Sequence, residues 1–230
     1  VEKDDKTIVQ QVKDIDFKEG DVVECKIDRE RRKQLMQHHT TTHIVNTSAR
    51  MVLGDHVWQG GSKKDVDKAH LDITHYDNLI EDEVIKIEKK ANEIVKKNYK
   101  IKKEVLSRPE AERKYGFRIY QGAAVPSKTL RIISIADLEH EACGGTHLNQ
   151  TSDAGKIILL KTEKPHDGIV RLSYVSGKTA ERYLEKCKKV IEESKKILGV
   201  NEKELVKETH KRIEEKKKNM KKIDSLREKI

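Results

Sequence analysis

Aromatic residues, cysteines and long apolar runs are scarce in this chain of 230 residues. Aromatics make up only 4% of the sequence, so the hydrophobic core must be built mainly from aliphatic side chains. Three cysteines, Cys25, Cys143 and Cys187, are too few and too widely spaced for a disulfide framework, which favours a reducing cytoplasm. No stretch approaches the roughly 20 apolar residues that span a bilayer, and no signal-peptide pattern opens the chain. We therefore expect no membrane partner.

Charged residues, by contrast, make up 39% of the sequence, and the formal net charge is +9. Residues 181–230 hold 17 lysines and arginines against 11 acidic residues, so most of the excess positive charge lies near the C-terminus. Such a field favours a polyanionic partner, above all a nucleic acid. The alternative is a lysine-rich proteome that uses Lys/Glu surfaces everywhere, and composition leaves both interpretations open.

Hydrophobic periodicity predicts an α+β fold, with a mixed or antiparallel sheet packed against helices and a C-terminal α-helical arm. A first helix is predicted from about Arg29 to Leu53 with Asp28 as its N-cap, and a second over 76–98. The predicted strands cover 7–13, 21–28, 69–75, 99–106, 129–135, 155–161 and 168–175. The segment "DHVWQGGSKKD", 55–65, is interpreted as a glycine-rich turn.

Three histidines lie within six residues of the first predicted helix, in "HHTTTH". His39 and His43 are four residues apart, so their imidazoles share one helix face, whereas His38 points elsewhere and is expected to be exposed. About 100 residues later, Cys143 and His147 enclose two glycines that let the backbone turn sharply. Taken singly, the cysteine could be a small buried hydrophobe and the histidine a core residue. Together the two pairs supply three histidines and one cysteine, a set suited to Zn²⁺.

Three motifs in one order, "HHTTTHIVNTS", "GDHVWQGGS" and "CGGTH", resemble the editing domain of alanyl-tRNA synthetase. Free-standing trans-editing proteins carry the same domain, and threonyl-tRNA synthetase editing domains are related to it. The resemblance covers about residues 29–175, and "GDHVWQGGS" favours the alanyl type. The segment "RIYQGAAVPSK" is most similar to the archaeal branch.

This resemblance implies hydrolysis of mischarged tRNA(Ala), chiefly seryl-tRNA and also glycyl-tRNA, within an ATP-binding alanine–tRNA ligase of the cytoplasm. The zinc ligands that it implies are His39, His43, Cys143 and His147. Gln59 matches a glutamine associated with editing, and we expect Gln59 and His147 to take part in catalysis. The expected substrate contacts are Thr40, Thr42, Gln59, Gly60, Gly144 and Gly145.

The same reasoning divides the chain into three parts. Residues 1–28 are expected to end a β subdomain, 29–177 to form the zinc-containing editing domain, and 178–230 to form a helical arm that contacts tRNA or dimerises. Val206, Ile213 and Met220 follow a heptad in the arm, but other seam positions are charged, which indicates only a weak coiled coil or helical hairpin. Because the chain begins with valine and ends in a charged helical pattern, we expect a piece of a longer protein.

Other functions fit the same motifs. Four protein ligands usually close a zinc site, so the metal could stabilise a tRNA-binding or dimerisation module without catalysis. A free-standing trans-editing deacylase is a further alternative, although the helical arm favours a synthetase segment. An unrelated zinc hydrolase is the remaining possibility, but the H-E-x-x-H protease type is disfavoured because Thr40 stands where the general-base glutamate belongs.

Overall fold

The protein is described by a computed structural model that covers residues 2–4, 7–9, 13, 16–122 and 127–227. The helices in these ranges are α1 (Arg29–Leu53), α2 (Glu81–Lys96), α3 (Arg108–Tyr115), α4 (Gly177–Leu198) and α5 (Leu205–Arg227). The strands are β1 (Glu2–Asp4), β2 (Thr7–Val9), β3 (Gln59–Lys64), β4 (Ala69–Thr74), β5 (Ile101–Ser107), β6 (Thr129–Ile135), β7 (Glu139–Ala142), β8 (Ile157–His166) and β9 (Ile169–Ser176). Short 3₁₀ helices cover Phe117–Ile119 and Thr151–Ala154.

All the sheets formed by the described residues are antiparallel. One sheet has four strands in the order β3-β4-β9-β8, a second has three strands in the order β5-β6-β7, and β1 pairs with β2. Helices and antiparallel strands therefore combine in an α+β fold, as the sequence predicts. None of the described helices is long and apolar enough to cross a membrane.

Helix α1 lies at the centre of the fold. It begins where the Asp28 carboxylate accepts a hydrogen bond from the backbone N–H of Arg31, at 2.9 Å, and ends at Gly54. The predicted bounds and N-cap are thus confirmed. One side of α1 packs against the core-facing side of the four-stranded sheet, where Leu71 and Ile73 are buried. Burial of these aliphatic side chains supplies the main favourable term for the domain, at roughly 25 cal/mol per Å² of apolar surface.

The register of β3 on β4 decides which polar side chains face α1. Ser62 pairs with Leu71 and Lys64 pairs with Ala69, and the two apolar partners are buried. Because directly opposed residues in an antiparallel ladder project to one face, Ser62 and Lys64 lie on the core-facing side of the sheet. A bulge between Gln59 and Gly61 shifts the register at the start of β3.

Some sequence predictions are wrong. Residues 21–28 form no strand and are exposed, because no described strand pairs with them. The segment read as a glycine-rich turn contains β3, whose pairing with β4 overrides the weak strand preference of glycine and lysine. The strand predicted at 7–13 overlaps β2, and its residues 10–12 lie outside the described residues.

Helix α2 begins five residues later than its apolar period predicts. Its first turn is fixed by the Glu83 carboxylate, which accepts a hydrogen bond from the backbone N–H of Ile80 at 3.0 Å. Leu79 and Ile80 continue the apolar pattern before the helix without being helical. A local cap therefore overrides the hydrophobic period at this end.

His38, which we expected to be exposed, is fully buried. Its Nδ1 lies 2.6 Å from the backbone oxygen of Asp65, and its Nε2 lies 3.1 Å from Nε2 of Gln34. The side face of α1 that carries His38 is covered by the segment after β3 and by the start of α4. Helix periodicity places the side chain away from His39 but does not reveal this cover.

The arm forms the two helices that its pattern predicts, α4 and α5, although residues 228–230 lie outside the described ranges. The first turn of α4 is tied to α1 through Gln34, whose Nε2 donates to the backbone oxygen of Ser176 and whose Oε1 accepts from the N–H of Thr179. A Cβ on Gly177 would overlap the Gln37 side chain, so only glycine allows this close approach. No described residue of α5 is buried.

Candidate metal centre

Four side chains from two distant parts of the chain meet beside α1. His39 and His43 project from one face of the helix, and Cys143 and His147 project from the loop that follows β7. Their ligand atoms all lie within 4.8 Å of one another. Cys143 Sγ is 3.4 Å from His39 Nε2 and 3.3 Å from His147 Nε2. The structure therefore brings the sequence-predicted ligand set together.

These separations fit a bound zinc ion. Zinc–sulfur bonds of about 2.3 Å and zinc–nitrogen bonds of about 2.0–2.1 Å, at tetrahedral angles, separate the two donor atoms by about 3.5 Å. The observed sulfur–nitrogen distances of 3.4 and 3.3 Å lie close to that value. Imidazole and thiolate donors suit zinc better than magnesium or calcium, which prefer oxygen. Both the geometry and the chemistry of the four residues can thus hold a zinc ion.

Gly145 lets the ligand loop pass directly over the His39 ring. A Cβ at position 145 would overlap the ring atoms of His39, whereas a Cβ at position 144 would meet nothing within 4 Å. Of the two loop glycines among the expected substrate contacts, Gly145 is therefore needed for the close approach of loop and helix. Gly144 borders open space.

Two basic side chains from the three-stranded sheet hold the backbone of this loop. Arg131 Nη1 donates to the carbonyl oxygens of Cys143 and Gly145, at 2.9 and 2.6 Å. Lys103 Nζ donates to the carbonyl oxygen of His147 at 3.1 Å. Charged donors make the stronger class of hydrogen bond, so these contacts fix the positions of both loop ligands.

Thr40 holds the far end of the same loop. Its Oγ1 accepts a hydrogen bond from the backbone N–H of Leu148 at 3.1 Å and lies 3.4 Å from His147 Nδ1. The hydroxyl is buried and orients a ligand. Thr42, the other threonine expected to contact substrate, has its Oγ1 2.6 Å from the Tyr174 hydroxyl, within the core and away from the four ligands.

A buried carboxylate lies behind His43. Glu141 Oε2 is 2.8 Å from His43 Nδ1, and both side chains are almost fully buried. Metal-ligating histidines commonly present their second ring nitrogen to a carboxylate, which fixes the ring and increases its basicity. Glu141 therefore orients His43 so that Nε2 faces the other ligands.

The electrostatics of the cluster favour cation binding. Burial lowers the pKa of His39 to about 3, with further lowering by the charge of His43, and burial likewise lowers the pKa of His147. Burial alone would lower the pKa of His43, but Glu141 and Cys143 raise it to about 10. Burial would raise the pKa of the Cys143 thiol, but the hydrogen bond and charge of His43 lower it overall. The raised pKa of His43 means that a metal ion would have to displace a proton from this histidine at neutral pH.

Gln59 lies at the start of β3, near a group of side-chain amides. Its backbone N–H donates to Gln121 Oε1 at 2.9 Å, and Asn46 Nδ2 donates to the same oxygen at 3.3 Å. Asn46 follows His43 by three residues on α1, so the amides lie about one helical turn from the ligands. Within the part of the chain that the structure describes, the Gln59 carboxamide makes no hydrogen bond. Gly60 is exposed on β3 beside it.

Sequence reasoning missed the residues that support the ligands, namely Glu141, Arg131 and Lys103. Glu141 carried a usable signal, because it lies two residues before Cys143 on a strand and so projects towards the same face. Arg131 and Lys103 carried none, because lysine and arginine are common throughout this sequence. Their role depends on the pairing of β5, β6 and β7.

The chain is similar to parts of tRNA synthetases. Residues 130–173 match the family model of the second additional domain of threonyl and alanyl tRNA synthetases. An alanine–tRNA ligase of Nitrosopumilus maritimus (strain SCM1) is 50% identical over 183 residues, which cover 80% of this chain and 21% of that protein.

Two further alanine–tRNA ligases match the chain over its whole length of 230 residues. The one from Methanococcus maripaludis (strain C7) is 42% identical over 100% of this chain and 26% of its own length. The one from Pyrococcus furiosus is 41% identical over 100% of this chain and 25% of its own length. The chain thus spans about a quarter of the length of the curated relatives it matches. Together, the match of residues 130–173 and the 41–50% identity to alanine–tRNA ligases support an alanyl-tRNA synthetase editing-domain fragment.

Proposed function

We propose that this chain hydrolyses the ester bond of mischarged tRNA(Ala), removing serine and also glycine, as the editing part of an alanine–tRNA ligase. The observation that carries the proposal is the convergence of two histidines of α1 with the cysteine and histidine of the "CGGTH" loop. The family supports a role in tRNA editing. The choice of serine and glycine, and hydrolysis itself, rest on the chemistry below.

The residues that would hold Zn²⁺ are His39, His43, Cys143 and His147. When bound, zinc supplies Lewis acidity, which polarises an ester carbonyl or lowers the pKa of a water molecule towards about 7. The chain's own part is to fix the ligand loop and to orient His43 through Glu141. We expect His147, which belongs to the loop rather than to the helix, to be the ligand closest to the reacting ester.

Gln59 is the residue that we expect to distinguish serine from alanine. Its carboxamide has no protein partner among the described residues, so it can bond a serine hydroxyl, and its backbone shares the Gln121 amide with Asn46, which lies one helical turn from His43. A site that hydrogen-bonds a substrate hydroxyl discriminates against the analogue without it, because the protein groups are otherwise left unpaired. Alanine, the correct amino acid, lacks that hydroxyl. Gly60, next to Gln59, is exposed, and Gly144 in the ligand loop borders open space.

A zinc-stabilised tRNA-binding module without catalysis is the second candidate. It is favoured by the number of protein ligands, because four are typical of structural zinc sites and three of catalytic ones. Under this alternative the metal would hold α1 to the loop, and the basic arm would bind tRNA or a second copy of the chain. A single deacylation assay distinguishes this binding module from the editing proposal.

The test is deacylation by the purified, zinc-loaded chain of Ser-tRNA(Ala), Gly-tRNA(Ala) and Ala-tRNA(Ala) in parallel. The editing proposal predicts release of serine and glycine while alanine is spared. Replacement of Gln59 by alanine should reduce serine release by about tenfold or more, the loss expected for one charged or tightly oriented hydrogen bond. No turnover with metal bound would support the binding module. Equal turnover of all three substrates would contradict selection against alanine.

A further inference from the structure

One lysine near the metal centre has no role in the mechanism above. Lys64 lies on β3 opposite Ala69, so its side chain projects to the core-facing side of the four-stranded sheet. Helix α1, which carries two of the zinc ligands, packs against this side of the sheet. Lys63, the residue before it, pairs with His70 and is exposed on the opposite side of the sheet. Two adjacent lysines thus face different surroundings.

The Lys64 ammonium is half-buried and held in place. Its Nζ donates to Ser62 Oγ at 2.5 Å. No carboxylate oxygen of the described residues lies within 4.0 Å of this nitrogen, so the ammonium has no ion-pair partner in that part of the chain. A cation that has lost part of its water without gaining a counterion is costly unless a ligand supplies the negative charge.

Lys64 lies at the end of β3, next to the turn of α1 that carries His39. Burial lowers the pKa of Lys64, while the charges of Cys143 and Glu141 act in the opposite direction. The pKa of His39 is lowered first by burial, then by His43, and next by Lys64. These charge effects agree with a direct contact: the backbone oxygen of Asp65, the residue after Lys64, lies 2.6 Å from Nδ1 of His38, the neighbour of the ligand His39.

The end of an aminoacyl-tRNA offers one kind of partner for such a cation. Its amino-acid ammonium would be repelled by Lys64, and its ester is uncharged. The nearest full negative charge is the phosphodiester that joins the last two nucleotides. Lysine is a common phosphate ligand, acting as a point charge with several donor directions.

We infer that Lys64, steadied by Ser62, binds the phosphodiester on the 5′ side of the terminal nucleotide of the tRNA. The inference rests on the proposed editing function and names the part of the substrate that this residue recognises. Lys64 acts in binding: it anchors the backbone of the 3′ end while the ester lies at the metal centre. Lys63, on the other side of the strand, makes no such contact.

The experiment compares the full chain with the variants Lys64→Met, Lys64→Arg and the matched control Lys63→Met. Two substrates are used: Ser-tRNA(Ala), and seryl-adenosine, which carries the same ester without the phosphodiester. Lys64→Met should raise KM for the tRNA substrate by about ten- to a hundredfold with little change in kcat, the loss expected for one charged hydrogen bond. Its rate with seryl-adenosine should equal that of the unmodified chain. Lys64→Arg should restore most of the affinity, and Lys63→Met should match the unmodified chain throughout.

Other results would overturn the inference in recognisable ways. Equal losses on both substrates would show that Lys64 acts on the ester or on the structure of the site, and thermal unfolding of the variant separates these two. An unchanged KM for the tRNA substrate would remove Lys64 from recognition. If the unmodified chain deacylates neither substrate, the editing proposal fails by itself. Lys64 is then tested by the affinity of the chain for an acceptor-stem RNA hairpin that carries no amino acid. Lys64→Met should weaken this affinity, and Lys63→Met should leave it unchanged.

Discussion

Helices α1 and α5 invert the usual relation between hydropathy and burial. Ten of the thirteen buried residues of α1 are polar, yet α1 is the central helix of the fold. Helix α5 carries an apolar row at heptad spacing, yet Val206 is 67% exposed and Met220 is 52% exposed. Within one chain, the polar helix is thus buried and the helix with the apolar row lies in solvent.

The difference follows from the partners that each helix finds. Many polar side chains of α1 meet fixed partners, for example Thr40 at the Leu148 N–H, His38 at the Asp65 carbonyl and His43 at Glu141. Because these groups are paired, their burial does not carry the cost of unsatisfied polar atoms. The apolar row of α5 remains exposed in the described part of the chain, where no residue of this helix is buried. Exposed rows of this kind mark interaction surfaces, and we propose that a second copy of the chain covers this one.

Removing a metal ligand from the buried site beside α1 should have the largest effect. Replacing Cys143 by alanine should abolish zinc binding and reduce deacylation to background, because the cluster loses its only thiolate. Atomic emission gives the zinc content per chain, and release of labelled serine gives the activity. Cys187→Ala, on α4, is the matched control and should keep both properties. Full zinc occupancy in Cys143→Ala would show that the ligand assignment is wrong.

Adding a single methyl group should have the next largest effect. The Cβ of a Gly145→Ala variant would overlap the His39 ring, so that the loop and the helix must move apart. We expect zinc affinity to fall by about ten- to a hundredfold, as for other changes that displace or misorient a ligand. Competition with a chromogenic chelator measures this. Gly144→Ala has open space around the new methyl group and should bind zinc as the unmodified chain does. Equal affinities of the two variants would contradict the close approach.

Neutralising the carboxylate behind His43 tests whether buried pairing supports α1. Glu141→Gln retains the shape of the side chain but loses its charge, so His43 becomes less basic and less firmly oriented. Zinc affinity should decrease by about tenfold, and the midpoint of thermal unfolding should fall in the metal-free form too, because buried His43 loses the carboxylate that raises its pKa. Glu163→Gln, an exposed acid on β8, provides the control. Unchanged affinity in Glu141→Gln would remove this residue from the support of the ligand.

Changes to the exposed apolar row of α5 should have the smallest effect on the domain. Replacing Val206, Ile213 and Met220 together by glutamine should leave zinc content, deacylation and the unfolding midpoint unchanged, because these side chains are exposed. It should shift the sedimenting species towards the monomer if α5 forms the contact between copies. Shortening the chain after Gly199 should do the same. An unchanged number of chains per sedimenting species would exclude α5 as a dimer contact.

Local signals account for what the sequence predicts correctly. Asp28 as a cap and Gly54 as a stop fix α1 without reference to the rest of the chain. The two ligand pairs are recognisable because each lies within five residues and consists of side chains that are uncommon in this sequence. Their chemistry predicts the convergence of helix and loop that the structure shows.

Features that depend on strand pairing could not be predicted from the sequence. The strand at Gln59–Lys64 forms because β4 supplies a partner, despite two glycines and two lysines. That pairing gives Lys64 and Lys63 opposite directions. The contacts of Arg131 with the ligand loop likewise require the register of β6 with β7. Residues that support a site through the backbone leave no pattern of their own in a single sequence.

The amide of Gln34 has a mechanical consequence. It bonds both the last residue of β9 and the first turn of α4, and it lies on the same helix as His39, little more than one turn away. The joint between arm and domain is therefore stiff, with the direction of α4 set by the helix that carries the metal ligands. Gln34→Ala would loosen this joint and let the arm swing. A change in the reach of the arm would then occur with every metal ligand in place.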